Sequence, residues 1–158
     1  MADSTVVITP EELLEHWQGH RKLTRRMIDA FPEKDLFNFT IGGMRPFSEL
    51  VLEFIGMAAP TLTGIVTRKW PEMSSGEKPA TKADLLKRWD EATDAINTMW
   101  KNIPSERFQE VDKAFGQWEM PVYGLLLYVI DNEVHHRGQG YVYLRALGIE
   151  PPPFYERA

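Results

Sequence analysis

The chain has no cysteine among its 158 residues. Disulfides, thiolate nucleophiles and thiolate metal ligands are therefore excluded, and a bound metal would have to rest on His, carboxylate, amide oxygen or water. Basic residues are also in short supply. Lys and Arg number 18 against 23 Asp and Glu, a net charge of −5. Nonspecific nucleic-acid binding needs clustered positive charge to displace counterions. Only Arg21, Lys22, Arg25 and Arg26 cluster, and they read as the solvated face of a helix rather than a phosphate-binding patch. Long apolar runs are missing as well: the most notable, Leu125 to Ile130, is far too short to cross a bilayer. The opening MADSTVVITP lacks the basic start and apolar stretch of a signal peptide. The expectation is a cytoplasmic protein that engages neither nucleic acid nor membrane.

Period-two alternation, internal repeats and low-complexity tracts are absent too, so one domain over 1–158 is expected, with tails at 1–8 and 149–158. An apolar content of 43% suits an ordinary globular core. Four segments carry helical signals. The first runs from Pro10 to Ala30, with Thr9 as N-cap and Glu12 completing a capping box. The second runs from Pro46 to Thr67, and Pro60 should kink or interrupt it. The third starts at Thr81 and ends before Pro104, and the fourth spans Pro121 to Leu147 with Gly148 as C-cap. The connections Trp70 to Ala80 and Ser105 to Met120 are long for a bundle, where about two to eight residues are usual. Part of the latter is expected to form a short strand pair around Phe108 to Val111.

Alternating four and three spacing marks the inward stripe of each helix. On the first it reads Leu13, Trp17, His20, Thr24, Met27, Phe31; on the second, Pro46, Leu50, Glu53, Met57. On the fourth it reads Leu125, Val129, Asn132, His136, Gln139, Tyr143. The stripes are apolar at their ends and polar in the middle. His20, Glu53, Asn132, His136 and Gln139 should thus project toward a shared interior, with Trp17 lining it. A buried carboxylate such as Glu53 needs a partner. The candidates are a metal ion, a protonated histidine or an arginine such as Arg137, unless a rotation of its helix moves Glu53 to an edge. Two readings stand open: a metal or ligand site between facing helices, or a satisfied hydrogen-bond network that fixes helix register. His16 and His20, four apart, have chelating spacing, although two such residues also occur by coincidence. His135 lies about 100° around the helix from His136, so it should face a neighbouring helix or a partner subunit.

The stretch Asp131-Asn132-Glu133-Val134-His135-His136-Arg137-Gly138-Gln139, followed by Tyr143-Leu144-Arg145-Ala146-Leu147-Gly148, closely resembles the DinB/YfiT-like family. Arg45-Pro46-Phe47-Ser48-Glu49-Leu50-Val51-Leu52-Glu53 resembles it too, as does Trp17 with His20 three residues on. The resemblance covers nearly the whole chain. It implies an all-α, up-down-down-up four-helix bundle, commonly a homodimer through the first and fourth helices. It also implies a divalent metal, often nickel or zinc, held by three histidines. Those positions fall on Glu53, Asn132 and His136, and only the last matches. A carboxylate, an amide oxygen and one imidazole favour Mn, Fe or Mg over tight zinc. His20 or Glu133 are the candidate replacement ligands.

The resemblance further implies a metal-dependent transferase that takes a low-molecular-weight thiol cosubstrate, or a metal-dependent hydrolase acting on a small-molecule substrate. Glu53 and His136 would then be ligands and His20 the candidate catalytic proton acceptor. The alternative is a non-catalytic, stress-related bundle that binds a small molecule or dimerises, its metal triad degenerate. Direct hydrogen bonds among Glu53, Asn132 and His136 would mark the second.

Overall fold

The computed structural model describes residues 5–158. The first four residues of the expected N-terminal tail lie outside that range; Val6, Val7 and Ile8 are exposed. Helix α1 (Pro10–Ala30) begins with the expected capping box, in which Thr9 and Glu12 satisfy each other's backbone N–H. A short helix, α2 (Glu33–Asn38), follows. It carries one buried residue, Leu36, too little for a periodic pattern to announce it.

Helix α3 (Phe47–Thr67) continues through Pro60 without a break, so the expected interruption does not occur. Packing on both sides outweighs one lost backbone bond: Ala58, Thr61 and Leu62 are all buried. By length and composition α3 alone among the described helices could cross a membrane, yet here it is buried among its neighbours. Helix α4 (Lys82–Trp100) is N-capped by the Thr81 side chain. Helix α5 (Val122–Ala146) ends at Gly148, whose φ of 74° lets Ile149 N–H reach back to the Leu144 carbonyl.

Helix directions follow from who meets whom. One apolar cluster joins Leu13 and Trp17 of α1 to Leu62 and Ile65 of α3, Trp100 of α4 and Leu125 of α5. The other joins Met27 of α1 to Leu50 of α3, Leu85 of α4 and Tyr143 of α5. The start of α1 thus meets the ends of α3 and α4 and the start of α5. The bundle is up-down-down-up.

Two parallel helices in succession explain the long connection between α3 and α4. Residues 68–81 must return along a helix of about 30 Å, so no short turn can serve. The returning segment lies tight on α3: a Cβ on Gly56 would come within 3.0 Å of the Ser75 backbone nitrogen. At Gly64 even a methyl group would run into the Trp70 ring.

The strand pair lies later than expected. Phe108 sits in a 3₁₀ turn (Ser105–Gln109), where it and Arg107 are buried. Strands β1 (Val111–Ala114) and β2 (Trp118–Pro121) pair antiparallel, Ala114 opposite Trp118. The three-residue loop between them takes left-handed backbone at Phe115 and Gly116. Arg107 anchors this region, bonding the Ile65 carbonyl, Glu110 and Asp112. The C-terminal segment folds back over α1 and α5. Tyr141 donates to the Pro152 carbonyl at 2.7 Å and Arg26 to that of Glu156.

Candidate functional site

Helix α5 carries two polar layers, and they point to opposite sides. Asn132 and His136 face α3; Glu133 and Arg137, each one residue further on, face α1. The expectation of one shared polar interior is therefore corrected to two.

On the α1 side the layer is sealed. Glu133 is 2% exposed. It accepts from Thr24 Oγ1 at 2.7 Å and Trp17 Nε1 at 3.3 Å. Arg21 stands 3.7 Å away, its guanidinium flat on the Trp89 ring and its Nε donating to Thr93. Burial lowers the Arg21 pKa to about 10. Arg21, expected on a solvated face, is thus 1% exposed. The heptad stripe runs through His20 and Thr24 and leaves Arg21 about 100° aside, which is why reading one stripe missed it.

His20 belongs to this layer and is not among the residues lining the cavity described below. Arg137 donates to its carbonyl at 3.1 Å and to Nδ1 at 3.0 Å. A guanidinium can only donate, so Nδ1 carries a lone pair and the ring is neutral. Burial, then the Arg137 charge, lowers the His20 pKa to about 4. His16 meets the His20 ring edge-on at 4.6 Å, with His20 Nδ1 already engaged by Arg137. Trp17 likewise belongs here rather than to a pocket wall.

On the α3 side the layer is half-open. Glu53 Oε2 lies 2.7 Å from Arg45, and Glu53 Oε1 accepts from Asn132 Nδ2 at 3.0 Å. His136 Nε2 lies 3.4 Å from the same Oε1. Gln139 Nε2 meets His136 Nδ1 at 3.0 Å. With the amide donating to Nδ1, the ring proton sits on Nε2 and faces the carboxylate. Burial alone would raise the Glu53 pKa; bonds from Asn132 and Arg45, with the Arg45 charge, lower it instead. Burial depresses His136, against the opposing pull of Glu53. The arginine that partners Glu53 is Arg45, not Arg137.

Beside this cluster lies a cavity of about 510 Å³. Arg45, just before α3, with Glu49, Glu53 and Gly56 of α3 form one side and Leu125, Val129 and Asn132 of α5 the other. Met73 to Ser75 of the returning segment and Phe115, Trp118 and Met120 of the hairpin cover it. Sequence reasoning placed Glu53 and Asn132 correctly near one another. It missed Glu49 and the hairpin aromatics, whose only signal was Phe115 and Trp118 flanking a Gly116 turn.

The donors at Glu53, Asn132 and His136 do not fit the three-imidazole ion that the family resemblance implies. Glu53 already carries a guanidinium. Asn132 turns its NH₂ toward it, and the His136 Nε2 lone pair is replaced by a proton. Among the described residues no three His, Asp or Glu side chains converge. His135 is exposed and Glu133 is committed to the other layer, so neither supplies the missing ligand. One observation points the other way: Asn132 Oδ1 is buried with no partner.

Comparison with known proteins agrees with the fold. The chain is 22% identical over 149 residues to the uncharacterized protein YjoA of Bacillus subtilis, covering 92% of this chain and 96% of that one. A crystal structure of a DinB-like protein from Bacillus cereus superposes with a TM-score of 0.75 at 20% identity, covering 92% of this chain and 97% of the other. The crystal structure of YjoA gives 0.73 at 18% identity, with 92% and 99% covered. The DinB family model matches residues 1–158, and the chain belongs to the DinB family.

Proposed function

We propose that the protein binds a small molecule in the cavity between α3 and α5, with Arg45, Glu53 and Asn132 as its polar floor and His136 behind Glu53. The observation that carries this is the junction itself. A space of about 510 Å³, with apolar walls, meets a few convergent polar groups at one end, as ligand sites do. The direct bonds from Arg45 and Asn132 to Glu53 favour the non-catalytic reading over metal-dependent thiol transfer or hydrolysis. A filled-pocket variant tests it. Met57→Trp should abolish thermal stabilisation by any compound that raises the wild-type Tm, while leaving the far-ultraviolet spectrum unchanged. Equal stabilisation of both proteins would overturn the assignment.

A second reading, a weakly held Mn, Fe, Ni or Zn ion at Glu53, Asn132 and His136, is favoured by the unpartnered Asn132 Oδ1. Elemental analysis after incubation with each metal decides between them. Our account expects sub-stoichiometric metal; one equivalent, lost in His136→Ala, would favour the metalloenzyme.

A homodimer through α1 and α5 is also part of the proposal. Tyr123, Leu127, Val134 and Val142 leave an exposed apolar stripe along α5. Light scattering should give twice the chain mass for wild type and the single mass for Val134→Lys.

A further inference from the structure

We infer that the cavity takes an organic cation, a protonated amine or quaternary ammonium carried on an apolar body. This rests on the small-molecule reading above and adds the charge of the ligand. Three carbon-rich features and one charge decide it.

The charges nearly cancel, but not quite. Arg45 is paired with Glu53 at 2.7 Å, so that carboxylate is already neutralised. Glu49, one turn earlier on α3, also lines the cavity and has no ion-pair partner among the described residues. His136 is not among the residues that line the cavity. One carboxylate remains uncompensated.

The walls carry the same sign. Phe115, Trp118 and Tyr128 present aromatic rings to the cavity. The face of each ring is the negative pole of its quadrupole and attracts a cation. Trp118 and Tyr128 stand 44% and 56% exposed, so their rings have no protein group covering them fully. Met57, Met73 and Met120 add polarizable thioethers, which adapt to irregular apolar shapes.

An anion would meet the opposite arrangement. Its single guanidinium, Arg45, is taken by Glu53, and Glu49 would repel it. A neutral molecule would gain the walls but nothing from Glu49. The expected order of affinity is cation, neutral, anion.

Calorimetry on the full chain at neutral pH tests this order with three probes of one shape: phenylbutylamine, phenylbutanol and phenylbutyrate. The amine should bind about tenfold tighter than the alcohol, the combined size expected of one exposed ion pair and one cation–π contact. Glu49→Gln should bring the amine to within about threefold of the alcohol. Trp118→Leu, on the hairpin, should weaken the amine more than the alcohol, and it serves if the helix variant fails to fold. A preference for the carboxylate, equal binding of all three, or an amine preference that survives both variants would overturn the inference and leave the small-molecule site standing. No binding by any probe, together with a Met57→Trp variant that still responds to other compounds, would overturn both.

Discussion

The two polar layers of α5 make opposite use of similar residues. Glu133 and Glu53 are both carboxylates between helices, each facing an arginine. Around Glu133 the groups interlock: Thr24 and Trp17 donate to it, and Arg137 spans His20 and Thr24. Around Glu53 the groups are fewer and the Arg45 and Glu53 side chains keep 46% and 27% of their exposure. The space beside them is empty of protein and walled by aromatics. One residue along a helix, about 100° of rotation, thus separates a register-fixing core from a site that can receive a ligand. Buried polarity by itself does not mark function; polarity at the edge of a cavity does.

Breaking the sealed layer should cost most. Arg137→Ala removes the bonds to the His20 carbonyl, His20 Nδ1 and Thr24, and leaves the imidazole acceptor unpaired in the core. Urea unfolding should show a loss of about 3–5 kcal/mol, the range for a broken buried charged network.

Acid should strain the same layer through His20. Its pKa in the folded state is about 4, below its ordinary value of 6.5. The unfolded chain therefore binds more protons between those values, and stability is full above pH 6.5 and falls as pH drops toward 4. The shift corresponds to about 3 kcal/mol. A His20→Gln variant, unfolded across this window, should show a correspondingly shallower pH slope than wild type.

The open layer should respond electrostatically rather than by unfolding. Glu53→Gln removes the charge that holds the His136 pKa up, so that pKa should fall further in an NMR titration. A rise would mean that Glu53 does not face the ring. Smallest of all should be Arg25→Ala. It deletes a pair with Asp90 whose members are 45% and 49% exposed, and the loss by urea unfolding should stay within about 1 kcal/mol.

Most of the fold was legible because its signals are local. The Thr9 and Thr81 caps and the prolines before α3 and α5 bound the starts of four helices, and Gly148 the end of α5, to within a residue or two, while α4 stops at Trp100, earlier than Pro104 requires. Short elements were less legible: α2 went unexpected, and the strand pair was expected in the right connection but a few residues early, since four residues carry little period. The Glu53–Asn132 pairing was readable from stripes and resemblance together. The split between the layers was not. At 100° per residue, Asn132 and Glu133 both fall within a broad inward face, and only the neighbours they meet decide their roles. Glu133 and Arg137 do stand four apart, a spacing that places them on one face of α5. Arg21 escaped because charge clusters are usually solvated, and here Trp89 provides a ring to cover it.

Equilibrium urea unfolding of Glu133→Gln beside Glu53→Gln tests the division of labour most directly. Each change removes one negative charge and almost no volume. The account predicts a loss of about 3 kcal/mol or more at Glu133, where two guanidiniums stay buried without a counter-charge, and under about 1 kcal/mol at Glu53. Equal losses, or a larger one at Glu53, would contradict it.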